Sequence, residues 1–390
     1  MDQVAERAAG MNIIFSGDFA RPSAATWRPT QHYNIRWLHD LFIGTLSRIV
    51  SAEIGYVAWN HAGVTRGQLQ GEDIAKLYEA CGLPKSMDGW AALYDLPYLP
   101  RDIQAMLADR FRDALVIGFE IPPYLKHFLL ANGNPFIDFI IHPVRFHDDI
   151  FFGVQSSEPR LNQVLAHHAV DEEEIYLAAG IVRATAGRLS NIGMRPGTNL
   201  VLMQTQHDKT QIRDGRFVGF SDFLVQAFEQ QVFDGPVMLK PHPIEPNNPH
   251  LRIIMASVRT CGLTTANFYE LLCCENLNRV ISLSSSTSTE AKYFLKDAEF
   301  LFKSPFDIFY AGDTFRPGFD SYYSVKDAYF GRAFWADLLE GLDFPGLRGA
   351  PVKPASLPVK PNRTRIALKS FWGYNQVDTD ISARQYRPDV

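Results

Sequence analysis

Short apolar runs of strand length alternate with segments of helical periodicity along most of the chain. Residues 114–122 (ALVIGFEIP) have the composition of a buried strand, whereas residues 31–50 carry apolar side chains at helical spacing. The same alternation restarts at residue 199, after the Gly- and Pro-containing stretch SNIGMRPGT (190–198). Strands that alternate with helices form parallel sheets covered by helices. The sequence therefore predicts an α/β protein with two doubly wound domains that face a central cleft.

The stretch 190–198 also sets the predicted domain boundary. A chain of 390 residues is long for one hydrophobic core, so two domains are expected. We expect a first domain over residues 1–192 and a second over residues 193–340. Residues 341–390 contain prolines and lysines and then aromatic residues, which predicts a linker and a terminal element that packs back on the body.

Charge and cysteine content exclude several classes of protein. The net charge of −5 argues against bulk nucleic-acid binding, so no nucleic-acid partner is expected. The four cysteines show neither metal-ligand spacing nor a disulfide framework, which suits a reducing cytoplasm. The first ten residues lack the apolar core of a signal peptide, and no run of about 18 apolar residues occurs. The sequence therefore predicts a cytoplasmic protein without a membrane span.

Unusual polar residues follow three predicted strands of the second half. They occupy residues 204–208 (QTQHD), 240–243 (KPHP) and 284–290 (SSSTSTE). In a parallel sheet the carboxyl ends of neighbouring strands lie at one edge, and open α/β sheets bind their ligands there. We therefore expect these three segments to lie together and to form the ligand site.

The hydroxyl-rich segment has the chemistry of an anion site. Hydroxyls and backbone N–H groups at a helix N-terminus bind phosphate, and the helix dipole adds favourable charge. Capping the helix needs only one hydroxyl, and Glu290 is placed for a capping box. Lys240 and His242 are expected to donate to the same anion, although His242 also suits a core position in a turn and Lys240 a solvated one. The expected anion-binding hydroxyls are those of Ser284, Ser285, Ser286 and Thr287.

Asp208 is the best-placed carboxylate of the second half because it comes just after a buried strand. A carboxylate that faces a cleft can act as a base or as a nucleophile. The alternative is an aspartate that caps a turn or a helix. Gln204 is expected to orient the ligand or Asp208.

Carboxylates also follow two strands of the first half. Glu120 ends the run ALVIGFE, and a buried strand seldom ends in a carboxylate without a partner or a role, so Glu120 is a candidate base. Asp18 follows the first strand and is a candidate for binding substrate hydroxyls. Arg145, after a second His-Pro pair, either joins a salt-bridged turn or lines the cleft, where we expect it to orient the substrate. Asp148 and Asp149 lack a third acidic ligand at suitable spacing, so no metal is expected.

Several of these segments carry a family resemblance. The motifs QTQHD, KPHP and SLSSSTSTEA, in this order in a C-terminal α/β half, resemble bacterial glycosyltransferases of the two-domain GT-B type that use CMP-activated acidic sugars. The Gln-x-x-x-Asp element and the stretch GFEIPP…FIDFIIHPVRFHDDIFF are more similar to retaining β-Kdo transferases of capsule and O-antigen synthesis, where Kdo is 3-deoxy-manno-octulosonic acid. The resemblance covers residues from about 110 to about 300.

The resemblance implies a fold, an activity and roles for the matching residues. It implies a GT-B fold of two Rossmann-like domains, of which the first binds the acceptor and the second the CMP-sugar. Asp208 matches the aspartate that attacks the anomeric carbon, and His242 matches the histidine that contacts the donor phosphate. Glu120 resembles the first-domain acid that deprotonates the acceptor. The serine motif that holds the CMP phosphate corresponds to Ser284, Ser285 and Ser286.

The expected activity is transfer of Kdo from CMP-Kdo to an oligosaccharide or lipid-linked glycan, with retention and without a cofactor or metal. Such an enzyme works in the cytoplasm or at the inner face of the inner membrane. Two alternatives stay open. One is an inverting transferase of the CMP-sialic-acid type, in which Asp208 or Glu120 acts only as a base. The other is a non-catalytic polysaccharide-binding module beside other modules of an assembly enzyme. The acceptor sugar, the linkage and the oligomeric state stay open as well.

Overall fold

The computed structural model describes residues 10–22, 31–58, 69–189, 192–243 and 245–349, with the backbone alone for residues 31–33 and 187–189. Within these ranges the strands are β1 (Asn12–Gly17), β2 (Ile54–Tyr56), β3 (Ala114–Phe119), β4 (Phe136–Ile141), β5 (Phe152–Ser156), β6 (Thr198–Leu202), β7 (Ile212–Arg213), β8 (Arg216–Phe217), β9 (Val237–Lys240), β10 (Cys261–Leu263), β11 (Leu277–Ser282), β12 (Asp297–Phe300), β13 (Asp307–Phe309) and β14 (Ser321–Val325).

The α-helices of the same ranges are α1 (Gln31–Leu46), α2 (Gly71–Ala80), α3 (Met87–Tyr94), α4 (Arg101–Arg110), α5 (Pro123–Ala131), α6 (Pro159–His167), α7 (Glu172–Leu189), α8 (Leu224–Glu229), α9 (Pro249–Ser257), α10 (Phe268–Leu272), α11 (Ser286–Thr289) and α12 (Arg332–Leu339). Short 3-10 helices occur at Lys209–Gln211, Phe220–Phe223, Ala291–Phe294 and Ala328–Phe330.

The described residues divide into two compact units. The first unit contains the residues up to Ile141, the segment Phe151–Val170 and the residues from Ile308 onward, and the second contains His142–Ile150 and Asp171–Asp307. The expected second domain, residues 193–340, includes β14, whereas this division assigns β14 to the first unit, where it pairs with β5. Most of the predicted terminal element, residues 350–390, lies outside the described residues.

The sheet of the first unit is mixed. Its strand order is β13-β14-β5-β4-β3-β1-β2. The pairs β1–β2, β1–β3 and β3–β4 are parallel, whereas β4–β5 and β5–β14 are antiparallel. In the parallel part, β1 lies between β2 and β3, so the strand order reverses between β1 and β3.

The antiparallel pair β4–β5 departs from the predicted parallel sheet for a topological reason. A parallel connection needs a crossover of a dozen or more residues, which is usually a helix. Residues 142–151, between β4 and β5, contain no helix. The chain therefore returns beside β4 in the opposite direction.

An aromatic core explains why residues near the end of the described chain belong to the first unit. The ring of Phe42, in α1, lies 5.3 Å from that of Phe139 in β4 and 5.1 Å from that of Trp335 in α12. Trp335 is fully buried, and its indole N–H donates to the carbonyl oxygen of Tyr329 at 2.7 Å. Buried aromatic rings contribute a large share of core stability, so α12 is held against the first unit.

The sheet of the second unit has the order β10-β9-β6-β11-β12, and its neighbouring strands pair in parallel. Numbered by their position in the chain, these strands run 3-2-1-4-5, so the order reverses between β6 and β11. The predicted α/β class, with parallel sheets and helices that alternate along the chain, is confirmed. Within the described ranges, no helix combines the length and the apolar character needed to cross a membrane.

Candidate functional site

Three polar segments of the second unit leave the sheet at one edge. Strand β6 lies between β9 and β11 and is parallel to both. Residues 204–208 come just after β6, residues 284–287 come just after β11, and residues 240–243 start with the last residue of β9. All three segments therefore emerge from the same, carboxyl-end edge. Ligands of open α/β sheets bind at the point where the strand order reverses, which here lies between β6 and β11.

Gln204 and Ser284 meet at this reversal point. The backbone N–H of Ser284 donates to Oε1 of Gln204 at 2.8 Å, and Nε2 of Gln204 lies 3.3 Å from Oγ of Ser284. Both side chains are buried. The Gln204 amide binds Ser284 through both its oxygen and its nitrogen. It therefore fixes the start of the hydroxyl-rich segment relative to β6.

Asp208 is joined to Ser284 through Thr210. Oδ1 of Asp208 accepts hydrogen bonds from the backbone N–H and from the hydroxyl of Thr210, both at 3.0 Å. The Thr210 hydroxyl also lies 3.0 Å from Oγ of Ser284. Asp208 is therefore the N-cap of the 3-10 helix Lys209–Gln211, a role that the sequence also allowed. Within the described part of the chain, Oδ2 of this half-buried carboxylate has no hydrogen-bond partner.

Several groups of the hydroxyl-rich segment form hydrogen bonds with one another and with Ser282, the last residue of β11. Oγ of Ser282 accepts from the Ser285 backbone N–H at 3.2 Å and from the Ser288 hydroxyl at 2.7 Å. Oγ of Ser285 accepts from the Thr287 backbone N–H at 3.3 Å. Among the described residues, the half-buried hydroxyls of Ser286 and Thr287 make no hydrogen bond. These two hydroxyls are available to a ligand, as is the O–H of Ser285, whose oxygen accepts from Thr287 while no described residue receives its proton.

The helix expected after the serines is interrupted. The pattern STEAKYFLKD predicts a continuous helix, but α11 ends at Thr289. The 3-10 helix that follows ends at Phe294, and its C-cap Leu295 has a φ of 60°. A single turn aligns few peptide dipoles, so the expected help from a helix dipole is correspondingly small.

Glu290 does not form the expected capping box. Its carboxylate is buried and accepts from the Arg145 backbone N–H at 2.6 Å and from the Tyr269 hydroxyl at 3.1 Å. Arg145 belongs to the segment His142–Ile150 of the second unit. The prediction that Arg145 orients substrate stays untested, and its backbone anchors this segment to Glu290.

Lys240 is the last residue of β9, and His242 lies two residues beyond it. The Lys240 ammonium donates to the carbonyl oxygen of Ala266 at 2.6 Å, and the His242 carbonyl oxygen accepts from the Glu245 backbone N–H at 3.0 Å. Both residues are half-buried. Each lies at the predicted edge of the sheet, and their expected contact with an anion stays a prediction.

The first unit presents its own carboxylates at the carboxyl ends of β1 and β3, where its strand order reverses. Asp18, after β1, is buried and accepts from the indole N–H of Trp90 at 2.8 Å and from the hydroxyl of Tyr124 at 3.3 Å. Glu120, after β3, is half-buried and has a φ of 53°. A non-glycine residue in the left-handed region is uncommon and marks a position fixed by its surroundings.

Phenol groups surround these carboxylates and stay protonated. Burial raises the pKa of Tyr94 well above its usual range, and the charges of Asp320, Asp18 and Glu120 raise it further. Burial and the charge of Asp18 likewise raise the pKa of Tyr124. Protonated phenols are hydrogen-bond donors, so this edge of the first unit combines carboxylate acceptors with hydroxyl donors.

Comparisons with known proteins give distant structural likenesses. The chain is similar to the Thermosulfurimonas dismutans KpsC beta Kdo 2,7 transferase over 51% of this chain and 68% of that chain, with 13% identity and a TM-score of 0.31. It is similar to the beta Kdo 2,4 transferase of the same KpsC over 74% of this chain and 79% of that chain, with 13% identity and a TM-score of 0.35. These scores are low, so neither likeness decides the function. No protein-family model and no curated protein matches the chain.

Several site residues were not predicted from the sequence. Thr210 connects Asp208 to Ser284, and the Asp-x-Thr spacing of an Asx turn was its one signal. Asn248 holds the carbonyl oxygen of Gln204 with its Nδ2 at 2.8 Å, a contact that spans 44 residues and leaves no sequence pattern. Within the described ranges, no group of three His, Cys, Asp or Glu residues could hold a metal ion.

Proposed function

We propose that the protein is a glycosyltransferase that moves Kdo from CMP-Kdo to an oligosaccharide or lipid-linked glycan, with retention of configuration. The observation that carries the proposal is the hydrogen-bonded chain from Gln204 through Ser284 and Thr210 to Asp208, at the reversal point of a parallel sheet. Three of these residues, Gln204, Asp208 and Ser284, belong to the sequence motifs that resemble retaining β-Kdo transferases. The arrangement supports one site in which a carboxylate and phosphate-binding hydroxyls face the same ligand.

The first step is a displacement by Asp208. Its carboxylate attacks C2 of Kdo, a bond forms between the carboxylate oxygen and C2, and the bond from C2 to the phosphate oxygen breaks. CMP leaves with the bonding electrons. The two hydrogen bonds from Thr210 hold Oδ1, so that Oδ2 is the proposed attacking atom.

Negative charge grows on the phosphate as CMP leaves. The hydroxyls of Ser286 and Thr287 are the proposed donors, together with Lys240 and His242 from the neighbouring strand end. Hydrogen bonds among Ser282, Ser285 and Ser288 stiffen the segment, so its donors need little reorganisation during the reaction.

The second step is another displacement at C2, which restores the original configuration of that carbon. The acceptor hydroxyl gives its proton to a base and attacks C2, and the bond to Asp208 breaks. Glu120 is the proposed base, because it occupies the reversal point of the first unit in a fixed backbone conformation. Asp18 and the protonated phenols near it are proposed to bind acceptor hydroxyls.

The donor class can be tested by thermal shift with CMP, UDP, GDP and ADP. A ligand that binds only the native state raises the melting temperature, and we expect CMP alone to do so. Stabilisation by another of these nucleotides and not by CMP would refute the proposed donor. A Ser286→Ala/Thr287→Val variant should lose the CMP shift, whereas Ser257→Ala, an exposed serine of the same unit, should retain it.

Turnover separates the remaining alternatives. Incubation with CMP-Kdo and a sugar acceptor should release CMP and form a β-Kdo product in the wild type. An inverted product would indicate an inverting transferase that uses its carboxylate only as a base. Glycan binding without turnover, retained in Asp208→Ala and His242→Ala, would indicate a binding module.

A further inference from the structure

Two hydrogen bonds, donated by the backbone N–H groups of Glu120 and Ile121, hold Glu120 in its left-handed conformation. Its own backbone N–H donates to the carbonyl oxygen of Phe139 at 2.8 Å. The next backbone N–H, that of Ile121, donates to Oδ1 of Asp138 at 2.9 Å. The turn is also tight, because a Cβ on Gly118 would lie 2.0 Å from Cγ1 of Ile121. The backbone on either side of Glu120 is therefore bound to β4.

The acceptor for Ile121 is an ionisable side chain in the middle of a buried strand. Asp138 is fully buried in β4, between apolar residues. Its Oδ2 lies 2.7 Å from Nζ of Lys126 and accepts from the hydroxyl of Tyr322 at 2.9 Å. Lys126 is 2% exposed, so both charges of the pair are withdrawn from water.

Lys126 is in turn fixed by the segment before β14. Its ammonium donates to the carbonyl oxygen of Phe319 at 2.8 Å and lies 3.2 Å from the hydroxyl of Tyr322. The same carbonyl oxygen accepts from Nε2 of Gln155 at 2.7 Å. Asp138 is thus held at one carboxylate oxygen by two donors, which leaves the other oxygen aimed at the Ile121 N–H.

A buried ion pair gives little net stability compared with apolar residues of the same volume. A neutral side chain with an acceptor would also pair with one N–H. The charged arrangement differs in that Lys126 and Tyr322 fix the rotamer of Asp138, and Asp138 fixes the peptide that follows Glu120. Strained backbone that its surroundings hold in this way is found at functional sites.

We propose that Asp138 is a positioning residue, held by Lys126 and Tyr322, that keeps Glu120 in the conformation required for its reaction. This inference rests on the proposed role of Glu120 as the base. A base must lie within hydrogen-bond reach of the proton that it takes, and small displacements of such a group reduce turnover strongly. Loss of the Asp138 acceptor should therefore lower kcat and leave donor binding unchanged.

Two double variants separate the effect of the acceptor for the Ile121 N–H from the effect of the two buried charges. Lys126→Met/Asp138→Asn removes both charges and keeps an oxygen that can accept from Ile121 N–H. Lys126→Met/Asp138→Leu removes both charges and the acceptor. We expect the leucine variant to lose about a hundredfold in kcat with an unchanged KM for CMP-Kdo, and the asparagine variant to recover most of that loss.

Crystal structures of the two variants give a readout that does not depend on turnover. Glu120 should leave the left-handed region in the leucine variant and keep it in the asparagine variant. If the wild type does not turn over CMP-Kdo, the proposed function fails, and these structures still decide whether Asp138 positions Glu120. Equal kcat values in the two variants, or an unchanged Glu120 backbone in the leucine variant, would overturn the inference.

A milder pair of variants covers the case in which the leucine variant does not fold. Tyr322→Phe removes one donor to Asp138, and Tyr323→Phe changes the next residue of β14, whose ring stacks on Phe315. Tyr322→Phe should lower kcat with KM unchanged, and Tyr323→Phe should do neither. The same kcat in both variants would contradict the positioning role.

Discussion

The side-chain amide of Gln204 spans the gap between β6 and β11 and bonds to both the backbone and the hydroxyl of Ser284. The amide is buried at the point where the strand order reverses. The Gln204 side chain therefore links β6 to β11 by hydrogen bonds beyond the last backbone hydrogen bond between the two strands. It also sets where the hydroxyl-rich segment begins.

Removal of this amide should destabilise the second unit. Gln204→Ala leaves the buried N–H of Ser284 without its acceptor, which costs about 1–3 kcal/mol. Urea denaturation should show this loss, and CMP should bind more weakly to the variant. Gln230→Ala, which changes an exposed glutamine of the same unit, is the control. A Gln204→Ala protein as stable as the control would contradict the assigned contact.

Thr210 should affect chemistry more than binding. Thr210→Val keeps the shape of the side chain and removes the hydroxyl that bonds to Asp208 and Ser284. A hydrogen bond to a charged group is worth about 1.5–3 kcal/mol, so we expect kcat to fall by about tenfold or more. Thr210→Ser should restore turnover. Steady-state kinetics with CMP-Kdo measure the effect, and equal kcat values for the valine and serine variants would refute it.

The buried ion pair predicts a large stability effect in the first unit. Lys126→Met leaves the charge of Asp138 buried without its partner, which should cost about 3–5 kcal/mol. Lys76→Met, which changes an exposed lysine of α2, should cost less than about 0.5 kcal/mol. Denaturant unfolding compares the two, and similar losses would show that Lys126 and Asp138 are not paired as described.

A buried histidine predicts how stability depends on pH. His142 is fully buried, and its Nδ1 accepts from the Val144 backbone N–H at 3.1 Å. Burial lowers the pKa of His142 well below 6.5, and the positive charges of Arg145, His147 and Lys292 lower it further. Below pH 6.5 the unfolded chain therefore binds a proton that the folded chain does not.

Stability should consequently fall as the pH drops below about 6.5, by at most about 1.4 kcal/mol per pH unit for this residue. This loss of stability stops once the pH is below the lowered pKa that His142 has in the folded protein. His142→Asn keeps an acceptor for the Val144 N–H and removes the titration, so its unfolding curve should depend less on pH in this range. The lowered pKa values of His168 and His250 leave a residual dependence of the same sign. An unchanged dependence in His142→Asn would contradict the prediction.

Local pattern was enough to predict most strands and helices of the two parallel regions. Strands β3 and β4 are buried along their whole length, so they appear in the sequence as apolar runs, which Asp138 interrupts in β4. Strand β14 and helix α12 were not predicted, because they are stabilised by partners distant in the chain, such as β5 and Phe42. Domain boundaries drawn along the sequence cannot anticipate such a return of the chain.

The candidate site was predictable where its residues share a short motif. Asp208 and Ser284 follow strands in recognisable segments, and their strands are neighbours in the sheet. Asp138 and Lys126 were not predicted, because each lies in an apolar segment that resembles ordinary core, FIDFII or PYLKHFLLA. Their pairing becomes visible only when α5 and β4 are placed together.

Intact mass spectrometry of the protein after incubation with CMP-Kdo, without acceptor, tests the nucleophilic role of Asp208 most directly. We predict that the wild type gains the mass of one Kdo residue. Asp208→Asn should gain none, although asparagine caps a helix as well as aspartate does, so its 3-10 helix stays intact. An unmodified wild type that still turns over the donor, or an adduct that also forms in Asp208→Asn, would contradict the proposed mechanism.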